Sequence, residues 1–288
     1  LTTKYRSIHH KVFTVGCFYS LSFIRMNTWH WQTWQSLPYL TCTILEDFPH
    51  GFFTRLWARP PAELVQVLAP ATPAYRVKQV HGNTVLSPSE LRQAEIGAGD
   101  APDFLSEADG LVTEQENQAV WACSADCTPV LIADVARGSV AAVHAGWRGT
   151  AARIVPEAIA RLVAQGSQLG DLRIAMGPAI AGEVYQVSTT VGAQVAASLF
   201  PTENWEANPE AILEAAQQLP EPPILSDAQP GRVRLDVRRV NALQLEGLGI
   251  GGEQVSIAPH CTYQTPEHFF SYRRDRLKQV QWSGIVSQ

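Results

Sequence analysis

Short apolar runs broken by polar turns fill much of the chain. Residues 74–80, 111–113, 119–123, 129–133, 140–144, 172–176 and 254–258 are each rich in Val, Ile or Leu and read as buried strands. Helical spacing is found over residues 151–164, 189–199, 209–218 and 236–245. In the last of these Val237, Val240, Leu243 and Leu245 lie near one face, with Arg238, Arg239 and Glu246 elsewhere. The Pro-rich patches at Pro60-Pro61 and Glu221-Pro222-Pro223 read as loops, and no internal repeat or linker divides the chain. Clustered strands with a few helices between them favour an α+β or mixed α/β domain over an all-helical one. Gly247, Gly249 and Gly252 match a dinucleotide-binding spacing, but a helix precedes them and a strand follows. That order is the reverse of a phosphate-binding turn, so they read as a helix stop and loop.

Composition narrows the class. Of 288 residues, 45% are hydrophobic and 17% charged, which excludes a disordered chain. The net charge of −5 argues against a nucleic-acid binder. Five cysteines, an odd number with no Cys-x-x-Cys pair, argue against a disulfide framework and point to a reducing, cytoplasmic setting. Residues 1–25 stand apart, with Lys4, Arg6, Lys11 and Arg25 and no acid; the remaining 18 basic and 27 acidic residues carry −9. The apolar run from Val12 to Ile24 has 13 residues, whereas a membrane helix needs about 20. No small-x-small cleavage pattern follows it. Position 1 is Leu and Met26 stands where a domain would begin. Residues 1–25 are therefore expected to be a non-native or flexible extension, and residues 26–288 a single domain, with no membrane partner. Oligomeric state is not legible.

The candidate chemistry lies at strand ends. Cys127 comes just before the strand at Pro129, His144 closes the strand that starts near Val140, and His81 ends an apolar run at Gly82. Two imidazoles and a thiolate suit zinc, and three protein ligands leave one tetrahedral position open for catalysis. The three are separated by 46 and 17 positions and match no local zinc signature, so a turn histidine and a core cysteine are the competing reading. Asp126 is a candidate to orient a ligand. Gly146, Arg148 and Gly149 lead to Thr150, a candidate N-cap, which suggests an anion site with Arg148 as donor; Pro156 fits the first helical turn. Near the C-terminus, Arg273 and Arg274 lie among aromatic residues, and Tyr263 or Phe270 is available to stack on a base.

Several motifs in order carry a resemblance: Lys78-Gln-Val-His81-Gly82, Ala108-Asp109-Gly110-Leu-Val-Thr113, Ser124-Ala-Asp-Cys127-Thr-Pro-Val130, Val143-His144-Ala-Gly-Trp-Arg-Gly149, Met176-Gly-Pro-Ala-Ile180 and Phe269-Phe-Ser-Tyr-Arg-Arg-Asp275. Over residues 48–286 the chain resembles the YfiH or laccase-domain family. The resemblance implies that residues 26–288 form a single α+β catalytic domain of mixed sheets flanked by helices, related in fold to the catalytic domain of cytotoxic necrotizing factor, with a metal site at His81, Cys127 and His144 filled by zinc or by copper. It implies a purine nucleoside phosphorylase that splits adenosine, inosine and methylthioadenosine with phosphate, with adenosine deaminase activity beside it. Other descriptions of the family imply a copper-dependent polyphenol oxidase, or a non-enzymatic peptidoglycan-editing or binding factor. The necrotizing-factor likeness adds a Cys-His hydrolase, with Asp126 or Asp109 orienting His144. Two segments depart from the family pattern: Leu56-Trp-Ala-Arg-Pro60 and Arg276-Leu-Lys-Gln-Val280. With 8 histidines and no His-x-His pair, the chain cannot build the several copper sites of a multicopper oxidase.

Overall fold

The structure is a computed structural model and describes residues 28–91, 105–200 and 206–288. The expected extension over residues 1–25 lies outside the described residues. In chain order the strands are β1 (Trp29–Trp34), β2 (Leu37–Cys42), β3 (His50–Phe53), β4 (Ala74–Tyr75), β5 (Val85–Leu86), β6 (Gly110–Val112), β7 (Ala119–Ser124), β8 (Thr128–Asp134), β9 (Val140–Ala145), β10 (Leu172–Met176), β11 (Gln186–Ser188), β12 (Ile224–Ser226), β13 (Arg232–Leu235), β14 (Val255–Ile257) and β15 (Gln281–Val286). The helices are α1 (Pro61–Leu68), α2 (Trp147–Ala151), α3 (Ile154–Ala164), α4 (Thr189–Ala196), α5 (Pro209–Gln217), α6 (Val237–Gly247) and α7 (Tyr272–Asp275).

Two six-stranded sheets face each other, in the orders β1-β2-β3-β15-β7-β4 and β14-β10-β8-β9-β6-β5. Alternation along the strands explains the layering, because successive side chains point to opposite faces. Val120 and Ala122 of β7 enter the central core with Leu131 and Ala133 of β8, and with Val140 and Ala142 of β9. Ala119 and Trp121 turn outward onto Leu64 and Val65 of α1. Val130, Ile132, Ala141 and Val143 turn the other way onto α3 and the apolar side of α6. A third sheet, β11-β13-β12, packs with α4 and α5 against the other end of α6. Mixed sheets flanked by helices agree with the α+β expectation. Among the described residues no helix is long and apolar enough to cross a membrane.

Several boundaries differ from the sequence reading. The expected strand 74–80 ends at Tyr75, and the chain then leaves the sheet to deliver His81 in a left-handed turn, φ +62°. The helix expected over 151–164 divides in two. Gly146, not Thr150, caps α2, Arg153 breaks the chain with φ +62°, and α3 restarts with Pro156 in its first turn, where no amide hydrogen is required. Pro60-Pro61, expected in a loop, opens α1 with Pro61 as its first residue. Arg238, placed on the polar side of the last helix, is buried and donates to the Ala258 carbonyl at 3.0 Å. The glycines after α6 do form a stop, with Gly249 at φ +86° before β14.

Candidate metal centre

The second sheet brings the candidate ligands to one edge. β8 and β9 are antiparallel, with Pro129 opposite His144 and Thr128 opposite Ala145. Cys127 and His144 therefore meet at the open end of this hairpin. β6 pairs with the other side of β9, Gly110 opposite Val143, and sets Asp109 at the same end. β5 lies beside β6 in parallel and carries the His81 loop to that end. The imidazole nitrogens of His81 and His144 and the sulfur of Cys127 lie within 4.8 Å of one another, and the two rings meet edge to face with centroids 4.9 Å apart. Among the described residues this is the one group of three or more His, Cys, Asp or Glu suited to a metal. The donor set fits a metal ion: two imidazoles and a thiolate converge, with one partner exposed and one buried. Gly146 makes the approach feasible, since a Cβ there would lie 2.9 Å from the Cys127 sulfur and 3.3 Å from the His81 ring.

Asp109 holds two of the ligands. One carboxylate oxygen accepts from the His144 ring at Nδ1 and from the His81 backbone N–H, both at 2.9 Å. The other accepts the N–H groups of Gly82 at 2.7 Å and Val80 at 3.2 Å. With Nδ1 committed to Asp109, His144 turns Nε2 toward Cys127 or a metal. Burial would raise the Asp109 carboxyl, but the His144 bond and the N–H groups of Gly82 and His81 hold it below its ordinary value. Burial would likewise raise the Cys127 thiol. The His144 charge and hydrogen bonds from His144 and His81 outweigh it and bring the thiol down to about 6. Burial would lower His144, yet the Cys127 thiolate and Asp109 raise it to about 9. Asp109, His144 and Cys127 thus form a row of alternating charge, with the His144 imidazolium between two anions. The Cys123 thiol, in contrast, is pushed up to about 12 by burial.

A pH profile checks this. A depressed thiol stays ionised down to its folded value. In metal-free protein, iodoacetamide labelling of the Cys127 peptide is therefore expected near plateau from pH 7 upward and to fall as pH drops through about 6. A profile that rises only near pH ~8.5, as for a free cysteine, would contradict the pair.

The arginines separate into two roles. Arg148 is exposed on α2 with its guanidinium 4.4 Å from the Trp147 ring. Arg273 lies 4.7 Å over the ring of Tyr185 and donates to the Gln186 carbonyl at 2.8 Å. Arg274 is structural: it donates to the carbonyls of Thr262, Tyr263 and Phe269 and pairs with Asp275. Phe270 is covered by Arg55 at 4.7 Å, while Tyr263 is exposed. Asp126 is not the residue that orients His144, because its oxygens go to Thr262 and Arg273. That position belongs to Asp109. Sequence reasoning missed Tyr185. Burial raises its phenol, and the charges of Cys127, Arg273, Asp126 and Arg148 all act on it, which sets it among the candidate residues. Only the Met176–Ile180 motif nearby hinted at that region.

Together, an α+β double-sheet fold and a His-Cys-His group at the open end of a hairpin define a protein with a candidate three-donor metal site. The family model described as multi-copper polyphenol oxidoreductase laccase matches residues 61–286, and the chain belongs to that family. It is 50% identical over 261 residues to a purine nucleoside phosphorylase of Synechocystis sp., covering 90% of this chain and 97% of that one. It is 34% identical over 200 residues to a purine nucleoside phosphorylase of Deinococcus radiodurans, covering 69% of this chain and 64% of that one. The fold is similar to the crystal structure of YlmD from Geobacillus stearothermophilus, with a TM-score of 0.72 at 24% identity, covering 90% of this chain and 98% of that chain.

Proposed function

We propose that this chain is a purine nucleoside phosphorylase acting on adenosine, inosine and methylthioadenosine. The observation that carries the reading is the 50% identity, over nine-tenths of the chain, to a protein of that name. A cluster of cationic, phenolic and thiolate groups around Tyr185 supports it. In the proposed reaction a phosphate oxygen bonds to the ribose anomeric carbon as the N-glycosidic bond breaks. The base leaves with the bonding electrons and takes the proton of the hydrogen phosphate, so free base and ribose 1-phosphate balance the step. Arg148 and Arg273 offset the phosphate charge and fix its line of approach, against a body whose net charge is −9. Tyr185, a phenol that is protonated at neutral pH and lies under Arg273, serves as a neutral hydrogen-bond donor.

His81, Cys127 and His144 are the residues that would hold zinc, with copper the alternative. Bound there, the ion would supply a Lewis acid that polarises a substrate oxygen. Asp109 keeps His144 in one tautomer and His81 in its turn, so the donor set is preorganised before substrate arrives. Adenosine deamination, in which water replaces the amino group to give inosine and ammonia, belongs to the same proposal and is read as ammonia release in a parallel incubation with adenosine.

The test is incubation with inosine, with and without phosphate. Hypoxanthine and ribose 1-phosphate are expected together, and only with phosphate present. Base release independent of phosphate, or no release from any purine nucleoside, would overturn the assignment. A second reading rests on the Asp109–His144–Cys127 order, which is also that of a Cys-His hydrolase with a thiolate nucleophile. Full activity after complete chelation would favour it over the metal centre.

A further inference from the structure

Asp126 is buried and stands at φ +91°, a left-handed conformation that Asp and Asn tolerate better than other side chains. Peptide-bonded to Cys127, it touches three other segments. One carboxylate oxygen accepts the Thr262 hydroxyl at 2.7 Å, and the other accepts the Arg273 backbone N–H at 2.7 Å. Its own carbonyl accepts the Ile180 N–H at 3.0 Å. Thr262 is itself fixed, its N–H donating to the Ala179 carbonyl and its carbonyl accepting from Arg274. Arg273, held at its backbone by Asp126, lays its guanidinium over Tyr185. The carboxylate next to the thiolate therefore sets where the arginine-bearing turn begins.

We propose that Asp126 is a positioning residue that keeps the Arg273–Tyr185 face in register with the Cys127 sulfur, so that the anion-binding side and the metal-ligand side are placed by one carboxylate. The substrate half of this inference rests on the phosphorylase reading; the Cys127 half does not. Two substitutions separate position from charge. Asp126→Asn keeps a residue tolerant of the left-handed backbone. Its amide oxygen can accept from Arg273 while its amide N–H donates to the Thr262 hydroxyl. Asp126→Gly accepts the same backbone angle but loses both bonds.

The experiment measures steady-state phosphorolysis and, separately, zinc affinity by chelator competition on the folded proteins. Asp126→Gly is expected to raise KM for phosphate at least tenfold with kcat within about threefold, and to weaken zinc at least tenfold. Asp126→Asn is expected to restore both to within about threefold of the parent. Thr262→Val, which removes one bond and leaves the backbone angle alone, is expected to move both in the same direction by a smaller factor. Should Asp126→Gly match the parent in KM and zinc affinity, or should Asn fail as badly as Gly, the proposal is overturned. If the parent shows no phosphate-dependent turnover, the functional reading falls. The zinc measurement then still decides the part of the proposal that concerns Cys127.

Discussion

Serine in place of Cys127 is expected to release the metal and to lower kcat/KM for phosphorolysis by about three orders of magnitude or more. Loss of a residue that only supports a ligand costs roughly 10–100-fold, and loss of a ligand itself should exceed that. The physical reason is the ionisation of the thiol. With its value brought to about 6, Cys127 is a thiolate at neutral pH, whereas a serine hydroxyl there stays protonated and offers zinc only a neutral oxygen. Size is nearly conserved, so the fold should survive, and an unchanged circular dichroism spectrum is expected beside the lost activity. Zinc content by mass spectrometry and initial rates with inosine check the result. Retention of stoichiometric zinc with normal turnover would remove Cys127 from the site.

Asp109→Asn should have the next largest effect, and it should strike stability and function together. Four donors converge on this carboxylate: the His144 ring and the N–H groups of Val80, His81 and Gly82. A carboxamide can face only one oxygen toward them, so two of these donors would confront an amide N–H. The expected cost is about 2–4 kcal/mol of unfolding free energy, since bonds to charged groups are worth roughly 1.5–3 kcal/mol each and unmet donors add to the loss. Metal affinity should fall about 10–100-fold, because His144 loses the partner that fixes its tautomer and His81 the clamp on its left-handed turn. Because the Asp109 carboxyl is held below its ordinary value, its contribution is present at neutral pH and is lost as pH falls through that depressed value. Chemical denaturation and chelator competition at pH 7 measure the two effects. A variant as stable as the parent and equally tight for zinc would show that the carboxylate does not organise the site.

Much of the double sheet was legible in the sequence. β7 to β10 fall close to the expected runs, because strands buried on both faces carry continuous apolar residues. β1 to β3 and β15 were not read as strands. β1 is an edge strand whose middle residues are exposed, so its pattern shows no buried face. In β15, Gly284 leaves room for the Trp121 ring, so the partner across the sheet, not the strand itself, supplies the bulk. The short third sheet, with three or four residues to a strand, is fixed by packing on α4, α5 and α6 and leaves little periodicity to read.

The sequence by itself determined the strand and helix class and the residue types able to bind a metal, His81, Cys127 and His144. It did so because strand periodicity and ligand chemistry are properties of the residues themselves. It also supplied the arginines, but not the difference between them. Only the tertiary structure decided that Arg273 faces Tyr185 while Arg274 braces carbonyls, and that Asp109 and not Asp126 orients His144. Those assignments depend on the order β8-β9-β6-β5 and on left-handed turns at His81 and Asp126. Residues far apart in the chain meet there because hydrogen bonds between strands, not distance along the sequence, set which strand ends are neighbours.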